Sequence, residues 1–295
     1  MVTYFLCLLL ITLTTRLHTS SAFQSTSSSI RSITLKSPLF SATPSTVDHG
    51  VTTPTRSKMK ILGICGGIGS GKSTACQLMV DKLGCVARID ADKLAHCVYE
   101  PGSQSLQEIV EEFGNTILLS KDSSADDVAE IDRQKLGAIV FNDPSAMSKL
   151  EQIVWPHVRS KIEERISEIT TECQSAASEN EIIIVEAALL LETDWHDLLD
   201  GLWVVQASPS VAVKRLMENR GLTEEDALVR IRAQQKRSSL LSKTEDKSIS
   251  DDLRDEMEKG IVTAVVTNDG TMDDLEEALK KALCDDAAFK KAVCR

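Results

Sequence analysis

Gly66, Gly67, Ile68, Gly69, Ser70, Gly71, Lys72 and Ser73 stand in the order GxxxxGK[ST], a spacing suited to one kind of ligand, a polyphosphate. Glycines let successive backbone N–H groups turn inward around phosphate oxygens. A helix starting behind them presents unpaired donors and its positive end to the same anion. Lys72 can reach the β- and γ-phosphates, and the Ser73 hydroxyl can ligate Mg²⁺. The expected nucleotide contacts are therefore Gly67, Ile68, Gly69, Ser70, Gly71, Lys72, Ser73 and Thr74, with ATP and Mg²⁺ as cofactors. A guanine-reading NKxD is absent. The one DxxG, from Asp81 to Gly84, falls too early to sense a γ-phosphate, which disfavours a GTPase switch.

A second group lies a short way downstream. The apolar stretch 85–89 ends in Asp90-Ala91-Asp92, which sets two carboxylates at a strand tip. One can help to hold Mg²⁺ or its waters, and the other can accept the proton of an attacking hydroxyl. Asp90 can equally cap a helix beginning near Lys93. Glu186 closes the most strand-like run in the chain, where an acidic residue is costly unless paired or functional, so it is read as supporting Mg²⁺ and substrate.

These residues need a frame that brings strand tips together. Residues 61–65 form an apolar run into the glycines, and residues 73–83 carry apolar positions at helical spacing. Helices are expected over 94–98, 106–113 and from Asp143-Pro144 to about residue 169, the last interrupted by Pro156. Residues 120–130 read as a polar surface loop. Strands follow at 182–185 and 202–206. A helix opened by Ser208-Pro209 carries Val213, Leu216 and Met217, and another spans 223–235 from a Thr-x-x-Asp start. Residues 236–259 read as loop or exposed helix, with a last strand at 261–266 and a last helix at 272–283. Strands alternating with helices and no hairpin turns predict an α/β fold, a three-layer sandwich around a parallel sheet.

In that order the motifs resemble dephospho-coenzyme A kinase. The resemblance rests on the loop GGIGSGKS, on IDAD, Tyr99-Glu100-Pro101-Gly102, Phe113-Gly114, Ile131-Asp132-Arg133, Leu136-Gly137, Val140-Phe141 and VEAALLLE at 185–192. Ile153-Val154-Trp155-Pro156 and Glu192-Thr193-Asp194-Trp195 resemble the eukaryotic branch, and Asn268-Asp269-Gly270 matches near the end. The resemblance implies ATP-dependent phosphorylation of the ribose 3′-hydroxyl of dephospho-CoA, the last step of CoA synthesis. It implies Asp92 as general base, Lys72 and Arg215 as stabilisers of the transferred phosphoryl group, and Arg133 and Arg159 as substrate contacts. Gln234 is expected near the nucleotide base through Ile231. A helical substrate region at about 100–170 and a lid at about 208–235 complete the expected P-loop kinase domain, 59–295. Arg215 alternatively belongs to a solvated helix face beside Lys214, and Arg133 or Arg159 to an ion pair with a neighbouring carboxylate. The lid reads Asn219-Arg220 where the family has arginine one residue earlier, about 100° around a helix. Another small-acceptor kinase, of the nucleoside monophosphate type, and a weakly catalytic nucleotide-binding regulator are the competing readings.

Residues 1–58 stand apart from this domain. The run 2–13 is almost wholly apolar, shorter than the roughly 20 residues of a membrane span, and precedes Ser20, Ser21 and Ala22. Residues 1–22 read as a signal peptide. Residues 23–58 read as a transit peptide or linker, because no acidic residue occurs before Asp48. The Ala22-Phe23 junction resembles the bipartite presequences of algae with secondary plastids, so a plastid is expected, with an ordinary secreted protein as the alternative. The cysteines include no CxxC pair, which suggests neither a disulfide framework nor a zinc site; Cys65 and Cys76 read as core residues. A net charge of −11 argues against nucleic-acid binding. Small-molecule substrates are the expected partners, with no membrane association after processing.

Overall fold

The computed structural model describes residues 59–119, 130–175, 182–188, 190–235 and 250–290. The signal and transit segments expected over 1–58 lie outside the described residues, as do 120–129 of the expected acidic loop and 236–249. Strands β1 (Lys60–Gly66), β2 (Ala87–Asp90), β3 (Ile182–Glu186), β4 (Gly201–Gln206) and β5 (Ala264–Thr267) form one sheet in the order β2-β3-β1-β4-β5. Every neighbouring pair is parallel. That follows from the intervening helices, which carry the chain back to the start of the sheet between strands.

The helices, in chain order, are α1 (Lys72–Lys82), α2 (Ala91–Cys97), α3 (Gln104–Phe113), α4 (Arg133–Asn142), α5 (Pro144–Ser175), α6 (Pro209–Arg220), α7 (Glu224–Gln235), α8 (Asp251–Glu258) and α9 (Met272–Asp285). Strand side chains alternate between two apolar layers, as the two-residue period of a strand requires. Leu62, Ile64, Ile182, Ile184, Trp203 and Val205 meet α1 and α9 through Cys76, Met79, Leu275 and Leu279. Ile61, Cys65, Ile183, Val185, Leu202 and Val204 face the larger layer, built from Leu106, Ile109, Leu136, Leu150, Val154 and Val158 of α3 to α5. A third, smaller cluster joins α6 and α7 through Ala212, Val213, Leu216, Ala227 and Ile231, and it includes the side chain of Ile68 from the glycine loop. Among the described residues no helix is long and apolar enough to cross a membrane.

One local expectation is corrected. The helix containing Pro156 is not interrupted: α5 runs unbroken for 32 residues. Pro156 and Gln152 are both exposed, so water can take the carbonyl that the missing N–H leaves, while buried Val154 and Val158 hold the helix on the core. Along α6, Val213 and Leu216 are buried, whereas Met217 is 41% exposed, because it lies at the edge of the stripe those two define.

Candidate active site

All five strands point their C-terminal ends to one side, the position of the ligand crevice in open parallel sheets. Register puts the acidic residues level: Glu186 is opposite Asp90 on one side and Ile64 on the other, two residues before the loop begins. Gly69 (φ 77°) and Gly71 (φ 85°) adopt left-handed backbone that side chains resist. A Cβ on Gly66 would come within 2.5 Å of the Val205 carbonyl. Gly71 is the N-cap of α1 and gives that helix no side-chain acceptor, so its leading N–H groups are left for an anion.

Around the loop lies one continuous charge network. Lys72 Nζ is 3.2 Å from Glu186 Oε1 and 3.9 Å from Asp92 Oδ2. The Ser73 hydroxyl donates to Glu186 Oε1 at 2.5 Å. Arg88 Nε faces Glu186 Oε2 at 2.5 Å, out of hydrogen-bond alignment, and its Nη2 is 3.4 Å from Asp90 Oδ2. Glu186 itself is only 2% exposed. Its three partners explain how a buried carboxylate is tolerated there. Arg88 was not singled out by the sequence reading, although a lone cation inside a short strand is itself an anomaly.

Asp90 does cap α2, accepting from Lys93 N at 3.1 Å, and it also faces Arg88 and Lys93. Asp92, in the first turn of that helix, presents its carboxylate toward Lys72. Burial pushes its pKa up from 3.8 to about 6, against the pull of Lys72, with Asp90 and Glu186 adding to the rise. Burial also pushes Glu186 up, yet Lys72, the Ser73 hydroxyl and Arg88 outweigh it and hold that group below the ordinary carboxylate value. Burial favours neutral Lys72, but Asp92 and Glu186 reverse this and keep it firmly protonated. Two carboxylates with opposite shifts beside one lysine separate a charge holder from a proton acceptor.

The oxygen donors suit Mg²⁺. Ser73, Glu186 and Asp90 offer hard oxygen donors, and Glu186 Oε2 is buried without a hydrogen-bond partner. Among the described residues no three His, Cys, Asp or Glu side chains are grouped to hold a metal by themselves. Mg²⁺ carried largely by phosphates and water needs no such group.

The lid residues meet the loop from the other side. Arg215 Nη1 donates to the Asn268 carbonyl at 2.9 Å and lies 3.4 Å from the Ser70 carbonyl, while Nη2 donates to Asn268 Oδ1 at 3.2 Å. It is therefore not a solvated surface residue. Gln234 Oε1 accepts from the Ile68 N–H at 2.6 Å, which places Gln234 on the phosphate loop itself. Arg133, at the start of α4, contacts His96 Nδ1 at 3.2 Å and stacks over the Tyr99 ring at 5.6 Å. Burial and Arg133 keep His96 below its ordinary pKa, and Asp90 opposes them, which links this cluster to the crevice. Arg159 instead makes a forked pair with Asp197, at 2.9 and 2.6 Å, and contacts Glu163 at 2.9 Å. The structure thus gives Arg159 the ion-pair alternative.

The family model described as dephospho-CoA kinase matches residues 60–255. The chain is 31% identical over 222 residues to a dephospho-CoA kinase of Lactobacillus johnsonii, covering 75% of this chain and 96% of that one. It is 34% identical over 225 residues to one of Arabidopsis thaliana, covering 76% and 83%. Among solved structures, TT1252 from Thermus thermophilus superposes with a TM-score of 0.53 at 29% identity, over 77% of this chain and 98% of that one.

Proposed function

The chain belongs to the dephospho-CoA kinase family, and we propose that its reaction is transfer of the ATP γ-phosphoryl group to the ribose 3′-hydroxyl of dephospho-CoA, with Asp92 as the base. The observation that carries this reading is the Asp92 carboxylate, with a pKa raised to about 6, directed at the loop lysine from 3.9 Å. A carboxylate left near neutrality and held beside the phosphate cradle is what proton removal from a sugar alcohol requires.

In this scheme the loop amides and the free first turn of α1 hold the triphosphate. Lys72 exchanges Glu186 for phosphate oxygens, and Arg88 stays behind to keep Glu186 ionised. The 3′-oxygen bonds to the γ-phosphorus while its proton passes to Asp92, and the bond to the bridging oxygen breaks with ADP leaving. Arg215 offsets the charge that develops on the transferred group. Mg²⁺, when bound, would neutralise phosphate charge, with the Ser73 hydroxyl and, through water, the Glu186 or Asp90 carboxylates as its protein contacts.

Measuring ADP release on residues 58–295 with dephospho-CoA, against a panel of nucleoside monophosphates, tests the assignment. Turnover with a monophosphate and none with dephospho-CoA would overturn it. We propose in addition that residues 1–58 direct the enzyme to a plastid, on the strength of the apolar run, the Ala22-Phe23 junction and the scarcity of acidic residues. A fluorescent fusion to that segment should light the organelle, and fluorescence in the medium would contradict the proposal.

A further inference from the structure

Asn268, the residue after β5, is 4% exposed, and its backbone N–H donates to Gln206 O at 2.8 Å, which fixes it at the tip of β4. Its side chain then bridges two parts of the site. Nδ2 donates to the Ser70 carbonyl at 2.8 Å, inside the phosphate loop, while Oδ1 and the backbone carbonyl both accept from the Arg215 guanidinium. Ser70 O is met by Arg215 Nη1 as well, at 3.4 Å. A Cβ on Gly71 would collide with the Asn268 amide nitrogen, so loop and asparagine are fitted to each other.

What holds Arg215 has a consequence for its charge. Its acceptors among the described residues are the neutral oxygens of Ser70 and Asn268. Neutral acceptors orient a guanidinium without cancelling its charge, and they release it more readily than a forked carboxylate would. Arg159, clamped by Asp197, shows the opposite arrangement in the same molecule.

We propose that Asn268 is a positioning residue for the reaction, one that ties Arg215 to the phosphate-loop backbone and keeps it aimed at the transferred phosphoryl group. This rests on the reading of Arg215 as catalytic. Asn268 acts only through that arginine and touches no reacting atom.

A double-mutant cycle in the full-length chain tests it, with Asn268→Ala, Arg215→Ala and the pair assayed for kcat and for both KM values. Asn268→Ser replaces the alanine variant should that fail to fold, and melting curves on every variant establish folding. The expected loss in kcat for Asn268→Ala is about tenfold or more, with KM for dephospho-CoA nearly unchanged. In the Arg215→Ala background the same substitution should change kcat by less than about twofold, the non-additivity of coupled groups. Additive losses would overturn the inference while leaving Arg215 catalytic. An Arg215→Ala enzyme of undiminished kcat would overturn both. A rise confined to KM for dephospho-CoA would assign Asn268 to substrate binding instead.

Discussion

The Lys72 ammonium stands 3.9 Å from Asp92 Oδ2, beyond hydrogen-bond reach, and 3.2 Å from Glu186 Oε1. The lysine is thereby committed to the more deeply buried acid and only leans toward the other. Asp92 is oriented by that charge and its pKa is pulled down by it, but burial prevails and leaves the pKa at about 6. Withdrawal of Lys72 toward phosphate would make Asp92 more basic at the moment a proton must be taken.

Asp92→Asn should lower kcat by about 10²- to 10⁴-fold, the range for losing a general base. ATP affinity should stay near that of the parent, because the loop amides and Lys72 are untouched. Steady-state kinetics together with nucleotide titration check both halves, and a fully active variant removes Asp92 from the mechanism.

A base must be ionised to act. With Asp92 at about 6, kcat/KM for dephospho-CoA should rise with pH through that value and then level off. Asp90 contributes to the upward shift, so Asp90→Asn should move the acid limb to lower pH. A limb that stays in place, or moves upward, contradicts the proposed coupling.

Gly71→Ala introduces a side chain at φ 85°, at a cost of about 1–2 kcal/mol, and drives a methyl group into the Asn268 amide. Expressed as ATP affinity that strain corresponds to about tenfold or more. Isothermal titration with ATP is the measurement, and near-parental affinity would show that the loop relaxes without penalty.

Pro156→Ala should stabilise the fold. It restores an N–H to the interior of α5 at an exposed position, where proline costs up to about 3 kcal/mol relative to alanine. A gain of about 1–3 kcal/mol in denaturant unfolding is expected. A loss would mean that the proline shapes a contact made by its neighbour Trp155, whose ring meets Trp195 edge-on at 5.5 Å.

The parts of the site legible in the sequence are those made by neighbours along the chain. The glycine loop, the helix behind it and the Asp90 cap all depend on contacts within a few residues, and residue type nearly dictates them. The parallel sheet was readable for a related reason, since strands of four to seven residues between helices leave few topologies. Contacts between distant segments were not readable. Asn268 and Ser70 are 198 positions apart, and Gln234 and Ile68 are 166 apart. No local pattern announces either pair. The forked pair of Arg159 with Asp197, 38 residues on, was legible only as an ion pair with some neighbouring carboxylate.

Ile68 belongs to two structures at once. Its half-buried side chain packs against the α6–α7 hairpin and its amide is occupied by Gln234, although it sits in the middle of the phosphate cradle. The hairpin therefore cannot swing as a door hung independently of its frame. Any ligand that reclaims the Ile68 amide loosens the hairpin, and any force on the hairpin alters the grip on the ligand, by equal free energies in both directions.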